Sequence, residues 1–379
     1  MRLAALEGFS IKILEYQSVI SAYVDEIIHI VLFTVTIFVN KYVLSSLKFT
    51  YPTVFQGWQT LVGVLILKFL TWKGKSKLVV TPLDKNGTIS ILPHVIFYVG
   101  SIVAGSKALS SLPIPVFISA CNLAPASIFL LDSLPQPLCK LSSLTLLPAA
   151  LALLASASVL FLCDNEFPDL GSSGDPNGGD SPYFWMLVHV VLLTAQSLHD
   201  RVADPRFSPM DLLFYANLFG VVILAPASLY LQEAFLALQF RHHRQIHFYI
   251  GCILSGVLGL LLRMRMATAS SSVDSLPSLA TSSKEKLSEE NCSRRPKPVR
   301  GALAGLIASI VGFVVFPGVT PETGVLVAAA VSLIAALFIP PSDHSRDDAS
   351  SQGAAESWWE SDDKAKWPSK PKPGELRIV

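Results

Sequence analysis

The chain has 379 residues, 51% of them hydrophobic and only 15% charged, with a mean hydropathy of +0.51. A soluble domain carries about 25% charge, so this is the composition of an integral membrane protein, with the lipid bilayer as its first partner. The 29 basic and 28 acidic residues nearly cancel, which leaves no net field to recruit nucleic acid. The five cysteines show no CxxC or zinc-like spacing, so a disulfide framework, a metal cluster and other cofactors are not expected.

A bilayer core of about 30 Å needs roughly 20 apolar residues at 1.5 Å each. Ten segments come close: residues 27–45, 53–72, 91–110, 113–131, 141–163, 183–200, 210–231, 246–266, 300–317 and 319–341. Residues 1–26 hold Glu7, Lys12, Glu15, Asp25 and Glu26 without an unbroken apolar run; they read as a cytosolic segment, and no cleaved signal peptide is expected. The first span closes on Asn40, Lys41 and Tyr42, and the second opens with Gln56, Trp58 and Gln59. Pro113 and Pro115 start the fourth span where a missing amide is tolerated, whereas Pro125 within it and Pro226 in the seventh should kink their helices. Gly301 and Gly305 in the ninth are spaced for close helix packing.

Lys73, Lys75, Lys77 and Lys85 follow the second span, Arg201 and Arg206 the sixth, and six further basic residues the eighth. The connector 164–182 has five acids and no Lys or Arg. By the positive-inside rule the basic loops and both termini face the cytosol, and the connector is lumenal. The sequons at Asn86 and Asn291 are then cytosolic and should stay unglycosylated. The ten spans divide into two five-helix halves, 27–163 and 183–341. An odd number per half puts the halves in inverted orientation, the layout of alternating access around a midplane site. The Ser-rich insert 267–298 and the tail 342–379 should be disordered.

Polar groups in lipid cost several kcal/mol unless they are paired or face a wet cavity. Lys41 and Lys107 either snorkel to the interface or share such a cavity with Asn40, Gln56, Trp58 and Gln59. At 214–217, "FYAN" puts Phe214, Tyr215 and Asn217 within one helical turn. That set can stack on a nucleobase and bond its edge, or it is an ordinary helix interface; Asn122 invites the same two readings. Asp132 is either a buried ion-pair partner or a solvated helix end. His243 and His247 are four apart with no acid nearby, a weak basis for a metal. There is no GxSxG, HExxH, Walker loop or intramembrane carboxylate pair, so catalysis is not expected.

The stretch "NKYVLSSLKFTYPTVFQGWQTLVG" (40–63), with "GSKALSSLPIPVF" (105–117), "CNLAPASIFLLD" (121–132) and "FYANLFG" (214–220), resembles the nucleotide-sugar and triose-phosphate carriers of the drug/metabolite transporter superfamily. The nearest likeness is to a branch related to Golgi carriers of GDP-mannose and UDP-N-acetylglucosamine. "FYAN" is similar to their base-contacting Phe-Tyr-Asn-Asn motif, with Ala216 in place of the first asparagine. Cys121 stands where such carriers have a lysine, and the ninth span has none. The resemblance implies an all-α, ten-helix, drug/metabolite-transporter-like fold in the Golgi membrane. It implies exchange of cytosolic nucleotide sugar for lumenal nucleoside monophosphate. Asn40, Lys41, Tyr42, Gln59, Lys107, Asn122, Phe214, Tyr215 and Asn217 would hold the substrate, Arg263 and Arg265 offer further cations, and a homodimer is compatible with this reading. A carrier of another phosphorylated or small organic solute, or a membrane scaffold without transport, stay open as alternatives.

Overall fold

The computed structural model describes residues 2–72, 80–133, 143–166, 181–201, 204, 206–241, 245–274, 300–316 and 322–339. Most of the acidic connector, residues 275–299 of the insert and the tail from 340 lie outside the described residues, so the expectations placed on them are not addressed.

All regular structure among the described residues is helical. In chain order the helices are α1 (Arg2–Lys41), α2 (Pro52–Trp72), α3 (Lys85–Ser111), α4 (Ile114–Cys121), α5 (Leu123–Ser133), α6 (Ser143–Glu166), α7 (Pro182–His199), α8 (Pro209–Tyr230), α9 (Glu233–Leu238), α10 (Ile246–Asp274), α11 (Arg300–Val315) and α12 (Thr323–Leu337). Six segments are long and apolar enough to cross a bilayer: Tyr23–Ser46, Pro52–Trp72, Lys85–Ser111, Ile114–Ser133, Pro209–Tyr230 and Ile246–Thr268. Shorter apolar helices run over Leu146–Leu162, Gly301–Val315 and Thr323–Leu337. The chain is an all-helical membrane protein.

The helix ends follow from local chemistry. A π-helical turn, Tyr42–Ser46, ends the first span, and Lys48 then takes a left-handed φ of 57°, which turns the chain into α2. Thr53, in the first turn of α2, donates its backbone N–H to Glu233 Oε2 at 2.9 Å. A carboxylate from α9 thus meets the positive end of the α2 dipole. The bend expected at Pro125 appears as a break at Asn122 that separates α4 from α5, because proline cannot donate to the carbonyl four residues back. α8 runs through Pro226 without interruption. α10 continues to Asp274, eight residues into the segment expected to be disordered. At the start of that extension Ala267 is buried, and Arg265 bonds Asp25 of α1 at 3.1 Å.

Packing is closest where glycines remove a side chain. A Cβ on Gly305 would lie 2.9 Å from Ile118, and one on Gly312 would lie 3.0 Å from Ile114. α11 therefore approaches α4 on residues two turns apart. Gly301, expected to share that contact, faces open space.

A polar cavity between four helices as the candidate functional site

α2, α3, α8 and α10 enclose a cavity lined by Gln56, Gln59, Thr60, Tyr98, Asn217 and Arg263, with Gly256, Gly259 and Leu260 completing the wall. Two helices contribute a periodic stripe. Gln56, Gln59, Thr60 and Gly63 follow i, i+3, i+4, i+7 on α2, and Gly256, Gly259, Leu260 and Arg263 repeat that spacing on α10. Such a spacing puts each set on one face of its helix. The approach of α2 to α8 depends on Gly63: a Cβ there would sit 2.7 Å from Asn217 Oδ1. The cavity measures about 20 Å³, room for about one water.

Bond accounting shows what the lining still offers. Gln56 donates its amide to Ser106 Oγ. Gln59 Nε2 donates to Asn40 Oδ1 at 3.2 Å and to Ser255 Oγ at 2.5 Å, and Ser255 in turn donates to Asn40 Oδ1. With both N–H groups of Gln59 used, its carbonyl oxygen is left for the cavity. Asn217 Nδ2 donates to Leu213 O at 2.7 Å, and its Oδ1 accepts from the Tyr98 hydroxyl at 3.4 Å. One amide N–H of Asn217 remains. The Arg263 guanidinium carbon lies 4.6 Å from the Tyr98 ring centroid, a cation held on an aromatic face at the cavity wall.

The residues singled out from the sequence fall into three settings. Gln59 and Asn217 line the cavity, and Asn40 stands one hydrogen bond behind it. Lys41, Tyr215 and Asn122 are engaged in holding the fold. Lys41 Nζ donates to Leu109 O at 2.9 Å, Ser110 O at 3.2 Å and Leu112 O at 2.9 Å. A lysine has three donors, so its ammonium is fully used on the carbonyls at the end of α3. Tyr215 donates its hydroxyl to Thr81 O at 2.5 Å, while Asp211 one turn earlier accepts from Thr81 N and Oγ1 at 3.1 and 2.9 Å. Together they pin the segment entering α3, and Phe214 packs edge-on against Tyr215. Asn122 belongs to a knot of small polar groups at the α4–α5 break. Its Nδ2 donates to Ser332 Oγ at 3.1 Å; the Ser332 and Ser156 hydroxyls lie 2.7 Å apart and 3.2 and 2.7 Å from Ser119 O, so their two protons are shared among these three contacts.

Elsewhere, Lys107 Nζ stands 4.3 Å from the Trp185 ring centroid, and Tyr42 is exposed. Asp132, left between two readings by the sequence, forms an ion pair with Arg201. Of the remaining lining residues, the sequence offered Arg263 as a further cation and Gln56 as a cavity group, whereas Thr60 and Tyr98 were not singled out. The signal available for three of these four was the i, i+3, i+4, i+7 stripe on α2 and α10.

Long apolar helices thus share one polar cavity, walled by a guanidinium, a phenol and carboxamides. No model of a known protein family matches the chain. It is 37% identical over 244 residues to the UDP-N-acetylglucosamine transporter TMEM241 homolog of Xenopus laevis, covering 63% of this chain and 76% of that one. It is 38% identical over 228 residues to the UDP-N-acetylglucosamine transporter TMEM241 of Mus musculus, covering 59% and 71% respectively. A more distant relative is GDP-mannose transporter 2 of Emericella nidulans, 27% identical over 204 residues and covering 52% of this chain and 57% of that one. The chain belongs to the nucleotide-sugar transporter family of these TMEM241 proteins.

Proposed function

We propose that the protein exchanges cytosolic UDP-N-acetylglucosamine for lumenal uridine monophosphate across the Golgi membrane, through the cavity between α2, α3, α8 and α10. The observation that carries this reading is the presence of Arg263 in a cavity whose other polar groups keep unused hydrogen-bond capacity. A diphosphate needs a cation and several donors. Lys41 has no N–H to spare, so Arg263 takes the phosphate in this reading. Asn217 and the Gln59 carbonyl address the uracil edge. Asn40 positions Gln59.

In this reading the bilayer is crossed ten times, by α1, α2, α3, the α4–α5 pair, α6, α7, α8, α10, α11 and α12. The spans form two inverted halves, with both termini cytosolic. α2 and α3 come from one half, α8 and α10 from the other, so the cavity sits on their boundary. At about 20 Å³ it is far smaller than the roughly 300 Å³ that opens the usual range of ligand pockets. Transport therefore requires the halves to separate, and the substrate drives this only by binding the two facing states unequally. The relatives' names, UDP-N-acetylglucosamine first and GDP-mannose at lower identity, support the uridine nucleotide.

The test is uptake into proteoliposomes preloaded with UMP or GMP, using UDP-N-acetylglucosamine and GDP-mannose as rivals. Wild type should take up UDP-N-acetylglucosamine against UMP. Arg263→Ala should lose about 10- to 100-fold of that exchange, the worth of one charge-assisted contact, and Arg263→Lys should recover part of it. Full exchange by Arg263→Ala would overturn the site.

A further inference from the structure

A second cluster lies outside the cavity, where α3 meets the end of α7. His94 of α3 is buried, with Nδ1 2.5 Å from Oδ1 of Asp200, the C-cap of α7, 106 residues away in sequence. His199, the last residue of α7, has Nδ1 4.0 Å from the same oxygen. One potential ligand atom from each of the three residues lies within 4.8 Å of the others. A hydrogen-bonded His94–Asp200 pair accounts for two of them. It does not account for His199, whose Nδ1 is buried and has no hydrogen-bond partner. A buried ring nitrogen left without a partner costs about 1–3 kcal/mol, and a metal ion would supply the missing partner.

The surroundings fit a cation. Bonds of 2.0–2.1 Å to zinc put tetrahedral ligands about 3.4 Å apart, between the two separations found here. The cluster sits at a helix C-terminus, whose carbonyls favour positive charge. Arg201, the nearest cation in sequence, is held by Asp132 and is kept from competing for Asp200. The Asp200 side chain is 38% exposed, which leaves one side open for entry and for a water as fourth ligand.

We propose that His94, His199 and Asp200 form a binding site for a divalent transition-metal ion, zinc by its two imidazoles and one carboxylate, which clamps α3 to the end of α7. In sequence His94 lies more than 100 residues from the adjacent His199 and Asp200, so no spacing motif announces the set. The ion has a direct line to the transport cavity: the His94 ring is stacked on Tyr98 at 6.5 Å and 9°. The metal site itself stands whether or not the proposed substrate is correct.

The test uses the full chain, purified in detergent without a polyhistidine tag and titrated with Co²⁺ and then Zn²⁺. Wild type should bind one Co²⁺ with visible d–d bands, surrender it to Zn²⁺, and melt at a higher temperature with zinc. His199→Ala and Asp200→Asn should each weaken binding at least about 10- to 100-fold and abolish the zinc-dependent melting shift. His243→Ala/His247→Ala, which removes two histidines four apart in sequence, should leave both intact. Wild type without a stoichiometric Co²⁺ spectrum would overturn the site, as would binding that survives His199→Ala but is lost with His243 and His247. His199 ends its helix, so its variant is testable even if His94→Ala does not fold.

Discussion

The cavity and the serine knot are both polar islands in apolar helices, and they differ in what is left over. In the knot, Asn122, Ser156 and Ser332 turn toward one another and toward Ser119 O. They repair the backbone where Pro125 breaks the α4–α5 span. In the cavity, Gln59 and Asn217 are anchored by some of their groups and present the rest to a shared space beside Arg263. Polarity in a membrane helix therefore does not by itself mark a binding site. Unused hydrogen-bond capacity facing a common volume is the feature on which the proposed site rests.

Lys41 gives the sharpest break of that comparison. If it belongs with the knot, Lys41→Met removes the donor from three carbonyls at the end of α3. Hydrogen bonds to charged groups contribute about 1.5–3 kcal/mol each and do not add. The expected loss is about 3–5 kcal/mol, close to that for breaking a buried charged contact. It should appear as a lower melting temperature in detergent and a poorer folded yield. A variant that melts like wild type yet fails to exchange would move Lys41 into the substrate site.

A smaller effect separates the two islands using one residue type. Asn217→Ala should lower exchange about tenfold, mainly through KM, since it removes a spare N–H from the cavity; one hydrogen bond is worth about 1 kcal/mol or slightly more. Asn122→Ala should leave KM unchanged and lower stability by about 1–2 kcal/mol. Exchange kinetics and thermal melting on both variants give the answer. Matching profiles for the two would erase the distinction.

The apolar runs made the membrane class legible, and each long described helix includes a stretch picked out by hydropathy, although α1 also runs back through residues 2–26, which read as a cytosolic segment without an apolar run. The positions of Asn217 and Gln59 could also be read, because amides in an oily run must go somewhere. Lys41 shows what could not be read. Whether an ammonium faces a phosphate or three backbone carbonyls depends on where the end of α3 lies, more than 60 residues later. Tyr215 is similar: "FYAN" suggested a base contact, but its hydroxyl is taken by Thr81 O, on a segment that is itself held by Asp211. Arg263 was legible as a cation near the end of a span, but the α10 face it shares with Gly256 and Gly259 was needed to turn it inward.

The smallest effect tests the same logic in water. Asp84 caps α3, accepting the Gly87 N–H at 2.7 Å, with Arg206 Nη1 at 3.5 Å. First the Gly87 N–H and then the Arg206 charge hold its carboxyl below the ordinary value of 3.8. The folded state thus prefers the ionised form, so the stabilisation is complete above the unfolded carboxylate range and is lost as pH falls through the depressed folded value. Asp84→Ala should melt below wild type near neutral pH, and the gap should close in acid. Asp84→Asn keeps a capping oxygen and should show a smaller deficit near neutral pH, which also closes in acid because the pH-dependent loss lies in the wild type. Raised salt should narrow the gap between Asp84→Asn and wild type, because the exposed Arg206 contribution is screened. Melting curves of the three proteins across pH and salt check this. A gap that persists unchanged in acid would mean that Asp84 acts through shape and not charge, as the neutral groups of the serine knot do.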